Sequence, residues 1–424
     1  MKIRILKLAT LVLALLMGVV PVVAQTTHQV EAGLGTLPTA VSAAAAGDII
    51  ELITDGGIYY WEDRSSITID KALTIKAADG LAVKPVVLNN DASQSTPYLF
   101  KLADGADLVL KGLDLDGRNL AGTPFSKYIL RPNSSPVAEG ETYSVKVLDC
   151  YLHDSAEKIF RAYAGTHADS VLFENCIIQG VVREVIYLGN GATPVIPTGV
   201  LTMRNTTVYN IGREIVYAKG GCDMQVNLEN CTFDDIATDG DRRMLRIGDA
   251  AVLGTDSLAD VHVLDCIFTN QGGYSEAFDI NGAATSSFTF SDTFNIGTMD
   301  MHNGGTVSDL LAIDPAYADA ANADFTLPTD SPLLTSGSDG GFVGDFRWTP
   351  QEHIPTTIYV AAGMGTLPEA VSNAGPGDVL ELITSGGTYY WEDRSAIGIN
   401  MELSIVASEG LAEKPIILNN DASQ

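Results

Sequence analysis

Five times in the middle of this chain, a short apolar stretch runs into Asn or Asp, then Cys or Thr, then a second apolar stretch. The units are Val147-Leu148-Asp149-Cys150-Tyr151-Leu152, Phe173-Glu174-Asn175-Cys176-Ile177-Ile178 and Met203-Arg204-Asn205-Thr206-Thr207-Val208. Leu228-Glu229-Asn230-Cys231-Thr232-Phe233 and Val263-Leu264-Asp265-Cys266-Ile267-Phe268 follow, and Phe290-Ser291-Asp292-Thr293-Phe294 is a degenerate sixth. The Cys or Thr returns after 26, 30, 25 and 35 residues. A second motif follows each unit, as in Arg183-Glu184-Val185-Ile186-Tyr187-Leu188 and Arg213-Glu214-Ile215-Val216-Tyr217-Ala218. Short apolar runs punctuated by Gly, Asn and Asp are strands and turns. A unit of this length holding two or three strands suits a coil whose rungs stack about 4.8 Å apart. Equivalent side chains then lie in columns, so a small Cys or Thr can fill one inward position in every rung. The Asn or Asp before it is expected to hydrogen-bond its counterpart along the stack.

The expected fold is therefore all-β, a right-handed parallel β-helix. A leucine-rich solenoid needs a regular Leu-x-x-Leu-x-Leu frame, which is missing. A coil needs its ends closed. Thr36 to Ala45 puts Leu37, Val41 and Ala44 on one helical face, with Pro38 in the first turn and Gly47 beyond the end. That pattern predicts a short N-terminal capping helix. Strands are expected at Asp48 to Thr54, Ser66 to Ile69, Leu73 to Ala77 and Val86 to Leu88.

A longer repeat sits above the short one. Gly33 to Gln94 returns as Gly363 to Gln424 at a constant offset of 330 residues, with 41 of 62 positions identical, the Tyr-Tyr-Trp-Glu-Asp-Arg-Ser block included. Residues 26–353 are expected to form one β-helix module and 354–424 the start of a second copy. The expectation is a fragment of a longer tandem chain of monomeric modules. Tyr59, Tyr60 and Trp61 are read as a structural plug near the cap.

Residues 1–25 carry Lys2, Arg4 and Lys7, an apolar run and Val22-Val23-Ala24, the pattern of a secretory signal peptide. Secretion or cell-surface display is the expected location. No later stretch is long and apolar enough for a membrane-spanning helix. Without the leader, 22 basic residues face 53 acidic ones, a balance that repels nucleic acid and excludes it as a partner. Five scattered Cys form no disulfide framework and no zinc motif, so the column Cys are read as buried thiols.

The Asn-Cys-x-Phe strands, the Gly-Asp-x-Ile-x-Leu opening (Gly47 to Leu52) and the passage from Asp324-Phe325-Thr326-Leu327 to Ser331-Pro332 resemble the pectate-lyase-like superfamily of right-handed β-helices. The resemblance covers most of residues 30 to 350. Gly212-Arg213-Glu214-Ile215-Val216-Tyr217-Ala218-Lys219 looks like the active strand of the chondroitinase B and alginate lyase family, and Leu245-Arg246-Ile247 like its arginine segment. That likeness implies Lys219 as base, Arg246 as its assistant, and Glu214 with Glu184 as acids sharing calcium. Gly212 stands where the family has its first acid, and Tyr217-Ala218 where it has Ser-Asn. Lys158, Arg161, Arg183, Arg213 and Arg243, with Arg242 beside them, form a basic ladder in an otherwise acidic chain and are the expected substrate-binding residues. Glu184, Glu214 and Glu276 interleave with them, so a salt-bridged surface fits the same ladder. His153 and His167 near loops are further candidates for catalysis.

The resemblance implies a secreted protein that acts on or binds extracellular polysaccharide. The reaction would be β-elimination of a uronic-acid polymer, in which a positive group neutralises the carboxylate and a Lys removes the adjacent proton. The alternative is a non-catalytic adhesin or carbohydrate-binding array, since tandem modules gain avidity.

Overall fold

A computed structural model describes residues 25–424 except 64, 92–97, 104, 133–141, 163–167, 190–197, 219–223, 249–258, 282, 284, 303, 351–354, 376, 393–395, 400–401 and 421–424. The signal segment, His167, Cys222 and Lys219 lie outside the described residues. Among those described, the chain divides into two compact units, one through Thr349 and one from Pro350.

The first unit is a right-handed parallel β-helix. Each rung passes through three sheets in turn, of eleven, ten and nine strands among the described residues. Sheet 1 runs from Thr27–Val30 to Thr306–Ser308, sheet 2 from Gly33–Leu34 to Asp292–Phe294, and sheet 3 from Ile67–Ile69 to Thr298–His302. Within the sheets every ladder is parallel, so each residue stacks on its equivalent about one rung earlier. Inside the coil lies one continuous apolar core, from Val30 and Leu37 to Phe278 and Phe288. Helix α1 (Thr36–Ala43) caps the first rung by burying Leu37 and Val41. The expected strands are present, at Ile49–Leu52, Ile67–Ile69, Leu73–Ala77 and Val86–Asn89.

The repeating Asn/Asp column has a different cause from the one expected. Asp149, Asn175, Asn205, Asn230 and Asp265 all sit at φ between 46° and 56°. They make the corner between sheets 1 and 2, and Asn and Asp tolerate that left-handed conformation better than other side-chain-bearing residues. Asn175 does donate to Asp149 at 3.2 Å, but the corner, present in every one of these rungs, is what selects the residue type. The next position is filled by a donor. Cys150, Cys176, Thr206, Cys231, Cys266 and Ser291 each hydrogen-bond the carbonyl two residues back, at 2.9–3.3 Å. Cys, Thr and Ser interchange because each is small and can make that bond. Cys150, Cys176, Cys231 and Cys266 are free buried thiols, and burial pushes Cys150 up to about 12, which rules it out as a nucleophile at neutral pH.

Residues 309–349 leave the coil and strap back over sheet 2. Phe325 packs against Tyr209, Tyr317 and Trp348. Ser338 bonds the corner residue Asp265 through its N–H and its hydroxyl, both at 2.7 Å. Buried Thr207 accepts from Trp348 Nε1 at 2.6 Å and donates to Asp345 Oδ2 at 2.7 Å. Thr207→Val keeps the shape but removes a partner from the Trp348 N–H and from Asp345 Oδ2, to which Arg347 stays at 3.4 Å, so it is expected to cost about 2 kcal/mol. Thermal melting followed by circular dichroism, with limited proteolysis of the strap, checks this.

The second unit repeats the first rungs. Helix α2 (Thr366–Asn373) buries Leu367 and Val371. Tyr59 and Tyr389 are both fully buried and both donate to the carbonyl of the first strand, Val30 or Val360, at 2.8 and 2.9 Å. That bond is the structural plug expected of the repeated Tyr-Tyr-Trp block. Ile417 is 48% exposed, whereas its equivalent Val87 is fully buried, because in the first unit the rung carrying Asp114–Asp116 pairs with Val86–Asn89 and covers it.

Candidate functional site on the third sheet

Sheet 3 carries the second motif of each unit, with Ile186 and Leu188 buried and Tyr187 between them partly exposed. Register aligns Arg161, Tyr187, Tyr217, Arg246, Asp279 and Asp300 in one row across six rungs. The Arg161 guanidinium lies 3.8 Å from the centre of the Tyr187 ring, and Arg246 lies 5.2 Å from that of Tyr217. The two rings meet edge to face at 5.0 Å. Two guanidiniums therefore bracket two tyrosines, and cation–π attraction holds each arginine over its ring. Tyr187 and Tyr217 were not singled out from sequence, although both occupy the same place in the second motif.

Beside that row lie the two glutamates. Glu184 is claimed by cations: Lys158 Nζ stands 3.1 Å from Oε2, off the hydrogen-bonding direction, and Arg213 stands 3.5 Å from Oε1. Glu214 is 3% exposed, and its Oε2 has no hydrogen-bond partner among the described residues. Burial pushes its carboxyl up to about 6, with the Glu184 charge adding to the rise and Arg242 and Arg246 opposing it. A carboxyl so placed holds its proton over part of the neutral range and can donate a hydrogen bond to an anion.

The expected basic ladder divides in two. Lys158 and Arg161 are buried: Lys158 is clamped between Glu157 and Glu184 and lies near the rings of Tyr128 and Tyr187, and Arg161 donates to the Gly189 carbonyl at 2.7 Å. These two hold the rungs together, which corrects their reading as open substrate contacts. Arg213 is tied to Asp239 at 3.0 Å, and Arg243 to Glu276 at 2.6 Å. Arg183 is the most open of the ladder, its side chain 44% exposed. Arg246 keeps 26% exposure, with Asp279 Oδ2 at 3.7 Å. Lys219 follows directly on Ala218, the end of the strand carrying Tyr217.

Calcium does not fit the Glu184–Glu214 pair. The ion takes six to eight oxygens, but Glu184 is already neutralised by Lys158 and Arg213, and arginines surround the pair. Gly212 explains the missing first acid. A Cβ there would fall 2.1 Å from the Val182 carbonyl oxygen of the preceding rung, so this backbone has no room for any side chain. His153 lies on sheet 2, away from this row.

Comparison with known proteins places the coil. The chain matches pectate lyase Pel9A with a TM-score of 0.51 at 11% identity, over 77% of this chain and 97% of that one. This is the pectate-lyase-like fold. The β-helix also matches the PL6 family alginate lyase AlyGC, with a TM-score of 0.48 at 15% identity, over 70% of this chain and 41% of that one. It therefore spans well under half the length of that lyase. A rhamnogalacturonan lyase matches with a TM-score of 0.44 at 12% identity, over 70% of this chain and 91% of that one. The family model described as "Domain of unknown function (DUF5123)" matches residues 226–348, which cover the last rungs of the β-helix and its strap. No curated protein matches the chain.

Proposed function

We propose that the outer face of sheet 3 binds a uronic-acid polysaccharide and that the protein is an exported lyase cleaving it by β-elimination outside the cell or at its surface. The observation that carries this reading is the Tyr187–Tyr217–Arg246 row beside buried Glu214, whose Oε2 has no hydrogen-bond partner among the described residues. Tyrosine rings offer a stacking surface to sugar rings, and the Arg246 guanidinium beside them suits a carboxylate.

In the reaction, Arg246 and protonated Glu214 bind the uronate carboxylate and take up the charge that grows there as the neighbouring C5–H bond breaks. Lys219, as the free amine, removes the C5 proton. The C4–O bond breaks, a C4=C5 double bond forms, and the leaving oxygen takes a proton from water, to which the Lys219 ammonium returns the one it removed. Calcium plays no role in these steps, so activity is expected to survive a chelator. The array alternative has the duplicated rungs in its favour, and the same experiment decides between the two.

The purified 424-residue chain is incubated with alginate, chondroitin, dermatan and pectate, and unsaturated uronate is followed by its ultraviolet absorbance. A rise that falls by about 100-fold or more in Lys219→Ala identifies the lyase and its base. Absorbance that stays flat on all four polymers sinks the lyase assignment for them, and binding without cleavage supports the array.

A further inference from the structure

On sheet 2, away from the tyrosine row, three aspartates and a histidine converge. His153 and Asp116 are register partners on adjacent rungs. The His153 ring is 3% exposed and is addressed from both sides. Its Nε2 lies 2.8 Å from Asp114 Oδ1, and its Nδ1 lies 2.8 Å from Asp154 Oδ2 and 3.7 Å from Asp116 Oδ1. Tyr151 stacks on the ring at 4.3 Å and fixes its plane.

We propose that Asp116, His153 and Asp154 form a binding site for a divalent transition metal, zinc above all. Their donor atoms lie within 4.8 Å of one another. Donors bound at 2.0–2.1 Å around a tetrahedral ion stand about 3.4 Å apart, and the separations of 2.8 and 3.7 Å from His153 Nδ1 straddle that value. One nitrogen with two carboxylate oxygens suits zinc better than calcium, which takes oxygens only.

Two further features support the site. Asp114 takes the second nitrogen of His153, the carboxylate–histidine arrangement that orients the ring and frees Nδ1 for an ion. In addition, Asp114 and Asp116 open onto a cavity of about 330 Å³ whose other walls include Ile58, Val86, Leu88 and Arg118. That space reaches Asp116, one of the three ligands, and gives an ion a way to it.

Arg118 now bonds Asp116 at 2.9–3.2 Å and stands 3.3 Å from Asp154, but its side chain is 39% exposed and can give way. Gly180 leaves the Asp154 carboxylate its space, since a Cβ there would fall 2.6 Å from Oδ1.

The test uses the full chain stripped with a chelator, then dialysed against zinc chloride, with cobalt(II) as a spectroscopic probe. One equivalent of zinc per chain is expected, with the intense visible bands of four-coordinate cobalt. His153→Gln and Asp154→Asn are expected to lose the equivalent and the bands. Asp114→Asn, which leaves all three ligands in place, is expected to weaken zinc binding roughly 10- to 100-fold. Circular dichroism checks that each variant is folded, and Glu214→Gln, on the other sheet, is expected to bind zinc like the parent. Zinc uptake that is absent, or unchanged in His153→Gln and Asp114→Asn, or lost in Glu214→Gln, overturns the proposal whatever the polysaccharide assay shows.

Discussion

Gly212→Ala is expected to be among the most damaging single changes in the β-helix. Its Cβ would stand 2.1 Å from the Val182 carbonyl oxygen and 2.8 Å from the carbonyl carbon. Both atoms are backbone, so neither can rotate away. Gly212 also donates its N–H to the Val181 carbonyl at 2.9 Å, so the methyl group must force open a pair of rungs joined by hydrogen bonds. Overpacking of this kind costs about 3 kcal/mol, which for a unit of this size lowers Tm by roughly 6–12 °C. Gly273→Ala is the control, because a Cβ there meets nothing within 4 Å. Equal melting of the two variants would show that the rungs are looser than their geometry implies. The same argument predicts that Gly212→Asp does not create a calcium site, since the chain has no room for the carboxylate.

Replacing Glu214 is expected to move stability and activity in opposite directions. Its carboxyl titrates near 6 in the folded protein, against an ordinary 4.5. A folded-state value above the unfolded one means that stability is fully present below about pH 4.5 and declines as pH rises through 6. The shift corresponds to about 2 kcal/mol. Glu214→Leu removes the buried charge and is expected to recover about that amount above pH 6, with no gain at pH 4. In the proposed reaction the same variant loses the group that hydrogen-bonds the uronate carboxylate, and activity is expected to fall about 100-fold. Glu214→Gln keeps a hydrogen-bond donor and is expected to retain most of the activity while losing any decline in rate that sets in above pH 6. Melting curves and rates taken across pH 4–8 read both effects. A Glu214→Leu variant that is more stable and fully active would remove Glu214 from the mechanism.

The coil could be read from the chain because its repeat is local. Each rung needs an apolar strand, a left-handed corner and a small donor, and Asn175-Cys176 or Asn230-Cys231 writes that requirement within three or four residues. The cap was legible for the same reason: Leu37 and Val41 fall one helical turn apart, and Tyr59 repeats as Tyr389. Glu214 and Arg246 could be picked out by likeness, yet their surroundings could not. Whether Lys158 is open or clamped depends on Glu184, a rung later, and the tyrosine pair exists only because register brings residues 30 positions from each other to 5.0 Å. The strap was legible only as a closing passage. Its grip on sheet 2 joins Thr207 to Asp345 and Trp348 across about 140 positions, and no pattern within a rung encodes that distance. The sequence by itself determined the strand-and-corner rhythm, the cap and the duplication, since these depend on neighbours along the chain. The tertiary structure alone decided which charges are neutralised, why Gly212 bears no side chain, and that His153 meets three aspartates, because each depends on how one rung stacks on the next.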